Sequence, residues 1–563
     1  MRLSEAPSNV YLPACPGAGK TRQVVERFLA RTSEVSRKGV ALLSFSNSAV
    51  DEATSRCGGR LEVLRAPNFV GTFDSFIHRF VTTPYMTGRG VQPEYRDQWG
   101  DLDRTTVALP GAYNYRYPLE LFDFTADGTC TLDVTRPGMR PGERRYAVSK
   151  NASLCAEAAT LWRRLVKAGF VSCSAARAIA KGLVEEPDSR DRIGSRLASR
   201  FSEIIVDEMQ DCGPDELSIL TLAHQKKVGV VMVADIDQAI YEFRNAVPDK
   251  VLEFAGTLSS LPGLMKNHRS TPEISAINTS LRHGREVEVS MNPSRGVPVC
   301  VLATDDPVRV RDLFCGLLQK HEIGKHDAVV LSHRLSDAEV VAGTRTSSAT
   351  TNDRVATMAI CLRDSLDPVS LPRTKLRAKR RFESALLSLL GFGPMGSVDE
   401  QLRLAGVERR WFARLVARLI SSLKGKGDRS DFASTLKDSL GGLAWPSGDQ
   451  IDTAGIRKPS AKSWQAVDAR PVIRGALRAT TVHSVKGQEF RAVLLAIRRP
   501  RSDQSGLTVL DHWEQDLPTE ERRVLYVGAS RPAELLVLAI PASARGQVIR
   551  ILTDTAVPFI EVT

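Results

Sequence analysis

VYLPACPGAGKTR, residues Val10 to Arg22, is a short apolar run that turns through glycines into Lys20-Thr21 and continues into the helical stretch Val24 to Ala30. That order reads as strand, phosphate-binding loop and helix. Small residues at Ala14, Gly17 and Gly19 let successive backbone N–H groups converge on phosphate oxygens, with the positive end of the following helix behind them. Cys15, Pro16 and Ala18 complete the loop. In such a loop Lys20 reaches the β- and γ-phosphates and Thr21 ligates magnesium. Ala14 stands in place of the first glycine of the general pattern, and the remaining spacing is intact. The alternative is a tight strand-to-helix turn with no ligand.

A phosphate loop that hydrolyses its nucleotide needs one carboxylate to hold the metal and another to orient the attacking water, both at the end of a buried strand. Glu203 to Asp211, EIIVDEMQD, supplies them. Its run Ile204-Ile205-Val206 fits a central parallel strand, which delivers Asp207 for magnesium and Glu208 as general base to the carboxyl edge of the sheet. Acidic residues at a strand end can instead cap a helix. A further buried strand, Val228 to Val233, leads into ADIDQAIYEFRNA. Gln238 there suits a sensor of the γ-phosphate or the attacking water. Tyr241, Phe243 and Arg244 suit a bridge to stacked bases, although aromatics in such a place are often core residues.

At this point the order of segments resembles the UvrD/Rep branch of superfamily 1 DNA helicases. SFSNSAVDEA (44–53) is similar to motif Ia of that family, and the resemblance implies strand contacts from Phe45 and Asn47. VGTFDSFIHRF (70–80) resembles the next DNA-contacting motif, with Thr72 as its contact residue; Asp74 stands where the family usually has histidine. LMKNHRSTPEI (264–274) looks like motif IV, which implies that Arg269 touches the γ-phosphate. It places His268 where a tyrosine stacks on adenine, opposite Arg22, and the smaller imidazole implies a lower nucleotide affinity. TTVHSVKGQEF (480–490) resembles motif V, implying a backbone contact from His483 and a ribose contact from Glu489. EERRVLYVGASR (520–531) is similar to motif VI, which makes Arg531 the arginine finger.

What the resemblance implies is an α/β chain of two RecA-like parallel-sheet motor lobes, each with a largely helical insertion. The first lobe falls at about 1–82 and 200–264, interrupted by 83–199; the second at 265–345 and 477–563, interrupted by 346–476. The first insertion contains FDFTADGTCTLDV, where Asp127-Gly128 signals a two-residue hairpin turn. The second carries the basic stretches TKLRAKRRFE and VERRWFARLVARL, which fit either a grip on duplex DNA or a solvated face. The family places a glutamine-bearing segment before the phosphate loop to read adenine. Only MRLSEAPSN precedes the first strand here, so selectivity for ATP is not expected to rest on it. Some 32 residues follow Arg531, and any nuclease is expected on a separate partner, as in the helicase-like subunit of the Gabija antiphage system, which the chain also resembles.

Composition fits this reading. Of 563 residues, 42% are hydrophobic and 25% charged, the balance of a folded multidomain protein. Lys and Arg outnumber Asp and Glu by 77 to 65, and the net charge of +12 favours a polyanionic partner. The nine cysteines form no C-x-x-C pair and imply reduced thiols in a cytoplasm. No export signal or membrane span is indicated. What the resemblance implies is therefore an ATP- and Mg2+-dependent translocase or helicase on single-stranded DNA and its junctions with duplex, travelling 3′ to 5′ and serving repair, recombination or phage defence. The alternative is a DNA- or nucleotide-sensing ATPase subunit that regulates a separate nuclease without processive unwinding.

Overall fold

The computed structural model describes residues 2–34, 36–58, 60, 62–99, 105–110, 115–134, 139, 141–240, 247–293, 296–343, 353–366, 372–392, 398–468, 477–497 and 506–563. Two six-stranded sheets organise the chain, and every strand pair in both is parallel. In spatial order the first contains Ser259–Ser260, Val10–Pro13, Gly229–Ala234, Phe201–Val206, Gly39–Ser44 and Phe69–Thr72. The second contains Arg478–Thr481, Ala328–Ser332, Phe490–Ala496, Pro532–Ile540, Val299–Ala303 and Phe559–Glu561.

The central strands are buried over most of their length because helices cover both faces, as uninterrupted apolar runs such as Ile204 to Val206 and Val230 to Val233 require. One face of the first sheet carries the helix Lys20–Thr32, whose Val24, Val25 and Phe28 pack on Leu12, Leu42, Ile205 and Val231. The opposite face shares one core with the first insertion, including Trp99, Tyr117 and Trp162. The second insertion is built from helices between Arg354 and Asp468 and has a core of its own around Phe382, Phe412 and Phe432. In its basic helix Arg409–Leu423, Arg410, Arg414 and Arg418 are exposed, while Arg409 is held by Glu383 at 2.8 Å and Asp399 at 3.1 Å.

One local expectation is corrected. Phe122–Phe124 and Cys130–Leu132 do form an antiparallel hairpin, but its loop is not two residues long. The Thr125 N–H donates to the Thr129 carbonyl at 2.8 Å, so Ala126, Asp127 and Gly128 form the connection. The Asp127 carboxylate accepts from the Thr129 N–H at 3.1 Å, and that bond favours the longer turn over the two-residue one.

Candidate functional site

Five adjacent strands of the first sheet end at one edge, and each is followed by residues singled out from the sequence. Val10–Pro13 leads into the phosphate loop, Gly229–Ala234 into Gln238, and Phe201–Val206 into Asp207 and Glu208. Gly39–Ser44 leads into Phe45 and Asn47, and Phe69–Thr72 ends on Thr72 itself. Parallel pairing compels this, since it puts every carboxyl end on the same side.

The loop is closed by backbone conformations that a side chain would disturb. Gly17 and Gly19 have φ of +68° and +77°. A Cβ on Gly17 would lie 2.2 Å from Asn267 Oδ1 and 2.8 Å from the Arg269 Cβ. Gly17 therefore lets the segment bearing His268 and Arg269 sit directly on the loop, where the His268 N–H donates to the Gly17 carbonyl at 3.0 Å. Lys20 is buried at the first turn of its helix. Thr21 donates its hydroxyl to Asp207 Oδ2 at 3.0 Å, which brings the two expected magnesium ligands together.

Glu208 has φ of +55°, a left-handed conformation that costs a non-glycine residue on the order of 1 kcal/mol. It lets the chain turn into Met209–Asp211 immediately after the strand, so that Asp207, Glu208 and Asp211 all line one cleft. Burial, reinforced by Glu208, pushes Asp207 up to about 7. Burial would raise Glu208 too, but Lys20, Lys486, Gln210 and Arg531 together outweigh it and hold its carboxyl below the ordinary glutamate range.

The second sheet supplies the other wall. Lys486 donates to both Asp211 carboxylate oxygens, at 2.6 and 2.7 Å, and to the Gln238 carbonyl at 3.0 Å. Arg531 donates to Gln238 Oε1 at 3.1 Å, to the Val527 carbonyl at 2.9 Å and to Ser530 Oγ at 3.0 Å. Arg269 donates to the Ser530 carbonyl at 3.1 Å and pairs with Glu489. Lys20, Thr21, Asp207, Glu208, Gln238, Arg269, Glu489 and Arg531 thus line a single cleft of about 580 Å³. Arg22 and His268 stand exposed at its mouth, Arg22 tied to Glu26 at 2.8 Å.

Phe45 and Thr72 line the same cleft, Phe45 half-buried and stacked on Phe73 with centroids 5.7 Å apart. Thr72 caps the helix Phe73–Ile77, accepting from the Ser75 N–H at 3.2 Å. Asn47 is exposed at the start of the helix Asn47–Arg56. His483 is half-buried, edge-on to His333 at 5.5 Å. Tyr241, Phe243 and Arg244 lie outside the described residues. Asp74 is taken up by Arg177 of the first insertion, which donates to its two oxygens at 2.8 and 3.1 Å.

Sequence reasoning did not single out Asp211, Lys486 or Arg177, although Asp211 and Lys486 fall inside quoted motifs. Lys486→Ala would leave Asp211 buried without its cation, and a destabilisation of roughly 3 kcal/mol is expected at pH 8. Burial already pushes Asp211 up to about 6, well above the carboxylate range of an unfolded chain. The folded state therefore takes up the extra proton as pH falls, and the loss in the variant should be smaller at pH 5 than at pH 8. Urea titrations of both proteins at the two pH values check the sign.

Residues 3–117 and 146–259 match the model of the UvrD/REP helicase N-terminal domain. The chain is 25% identical over 293 residues to DNA helicase II of Escherichia coli (strain K12), an alignment covering 49% of this chain and 38% of that protein. It is 24% identical over 299 residues to the ATP-dependent DNA helicase SRS2 of Saccharomyces cerevisiae, covering 47% and 25%. It is 43% identical over 70 residues to an ATP-dependent helicase/nuclease component of Ligilactobacillus salivarius, covering 12% and 6%. The matches thus span well under half the length of these relatives. Among the described residues no helix is long and apolar enough to cross a membrane. The domain match and the relatives thus make the segments that carry the phosphate loop similar to the UvrD/REP helicases, and the two parallel sheets meeting at that loop fit the likeness.

Proposed function

We propose that this chain is an ATP-driven motor on single-stranded DNA, a 3′ to 5′ translocase or helicase acting in repair, recombination or phage defence. The observation that carries the reading is the shared cleft: Lys20, Asp207 and Glu208 from one lobe, Arg269 and Arg531 from the other, with Phe45 and Thr72 on the same wall. The direction of travel and the pathway classes come from the family resemblance.

The chemistry divides among these residues. Backbone N–H groups of the loop and Lys20 hold the β- and γ-phosphates, and Glu208 accepts the proton of the attacking water. Arg269 and Arg531 offset charge on the transferring phosphoryl group, and Gln238 lies beside Arg531 to sense it. The Thr21 hydroxyl and the Asp207 carboxylate fit magnesium, since both are hard oxygen donors and the crowded Asp207 carboxyl gains from a cation. When bound, that ion draws charge from the phosphate oxygens. Arg22 and His268 flank the base, and Glu489 exchanges its pairing with Arg269 for the ribose. The strand runs over Phe45, Asn47, Thr72 and His483, with Tyr241, Phe243 and Arg244 as further contacts.

Steady-state ATP hydrolysis with and without an oligo-dT strand, followed by a forked-duplex unwinding assay, tests this. DNA-stimulated hydrolysis is the expected result, and absence of ATP hydrolysis under both conditions would defeat the proposal. The similarity to a helicase/nuclease component favours a second reading, an ATPase that senses DNA or nucleotide and regulates a separate nuclease. Stimulated hydrolysis with neither strand separation nor displacement of streptavidin from a biotinylated oligo-dT end supports that one. Phe45→Ala is expected to weaken oligo-dT binding by about 1 to 3 kcal/mol, the range for one base-stacking aromatic, while basal hydrolysis changes little. Equal losses in both would show that the ring serves only its packing on Phe73.

A further inference from the structure

Four side chains in and behind the cleft wall, none of them exposed by more than 4%, form a chain of contacts across the two lobes: Asp235 and Gln238 from the first, Tyr526 and Arg531 from the second. Gln238 Nε2 donates to Asp235 Oδ2 at 2.7 Å, and Gln238 Oε1 accepts from Arg531 at 3.1 Å. The Tyr526 hydroxyl donates to the same Asp235 oxygen at 3.0 Å and accepts from Arg282 Nη1 at 2.9 Å. Tyr526 and Arg531 sit on the helix Glu520–Ala529 and at its exit, where the Ser530 N–H donates to the Tyr526 carbonyl at 2.9 Å.

We infer that Asp235 and Tyr526 are positioning residues that fix which end of the Gln238 amide faces Arg531. The inference rests on the proposed nucleotide hydrolysis. A primary amide has a donor end and an acceptor end of nearly equal size, so its orientation is set by what surrounds it. Here a carboxylate, which only accepts, stands on one side, and a guanidinium, which only donates, stands on the other. Turning the amide over would set two donors against each other at Arg531 and two acceptors at Asp235. Asp235, Gln238 and Arg531 are each at most 3% exposed, so water would compensate both mismatches poorly. Tyr526 ties the same oxygen to the helix whose exit carries Arg531, so the finger and the glutamine keep a fixed register. Loss of either tie should slow the chemical step and leave ATP binding, which the loop governs, unchanged.

The test uses the full chain with saturating oligo-dT, and reads kcat and KM for ATP in single and double variants. Asp235→Asn and Tyr526→Phe, one isosteric and one lacking a single hydroxyl, are each expected to lower kcat about tenfold with KM within twofold of wild type, the scale of one misdirected buried hydrogen bond. In a Gln238→Ala background, measured under single turnover, neither should lower the rate by more than a further twofold, because the amide they orient is gone. Losses that repeat in full on Gln238→Ala, or that fall on KM, overturn the inference while leaving the proposed hydrolysis standing. A wild-type chain without ATP turnover overturns both.

Discussion

Glu208→Gln is expected to bind ATP about as tightly as the wild type and to turn it over roughly 10² to 10⁴ times more slowly, the usual contribution of a positioned general base. A base must be ionised before it can accept a proton. Lys20, Lys486 and Arg531 surround this carboxyl, and Gln210 donates to it, so it stays charged although it is buried. The amide of the variant keeps the size and the acceptor for Gln210 but has no basic oxygen. The backbone at this position is already held left-handed, and glutamine brings no new strain beyond what glutamate bears there. The loop, Lys20 and Thr21 are untouched, so nucleotide binding should persist. Single-turnover hydrolysis beside binding of a fluorescent ATP analogue checks both halves. Turnover within a few fold of wild type would move the base elsewhere, with Asp211 the next carboxylate in the cleft.

How much of this could be read in the chain depends on the range of the interaction. Periodicity and glycine placement report local events, and these were legible: the strand entering the phosphate loop, the β-branched run before Asp207, and the buried run before Gln238. Each is an apolar segment ending in a polar signature, and parallel pairing then gathers the signatures at one edge. Partner identity is a different matter. Asp211 and Lys486 meet across 275 positions and Asp74 and Arg177 across 103, and no local pattern distinguishes those four from surface charges. Asp235 and Tyr526 stood in quoted motifs, yet only docking of the lobes shows that one oxygen serves both Tyr526 and Gln238. The hairpin at Asp127 failed for a smaller reason, a side-chain hydrogen bond that lengthened the turn by one residue.

Arg531→Ala is expected to cost the larger share of catalysis, about 10³- to 10⁵-fold in DNA-stimulated kcat, the span established for an arginine finger on a transferring phosphoryl group. The guanidinium is only 2% exposed. Burial and the neighbouring Arg269 lower it to about 10, so it remains a cation at neutral pH while shedding its water. A desolvated charge acts on a nearby phosphate far more strongly than a solvated one. Its direction is also fixed, since Nε donates to the Val527 carbonyl and Nη2 to both Gln238 Oε1 and Ser530 Oγ. Arg531→Lys should therefore recover less than tenfold of the loss, because an ammonium keeps the charge but cannot make those contacts and reach the phosphate together. KM for ATP should change by only a few fold, as Lys20 and the loop retain the triphosphate. Melting curves for both variants separate a lost finger from a loosened lobe contact. An Arg531→Ala chain that keeps more than a tenth of wild-type kcat would take Arg531 out of the chemistry and leave Arg269 to carry the second lobe's part in it.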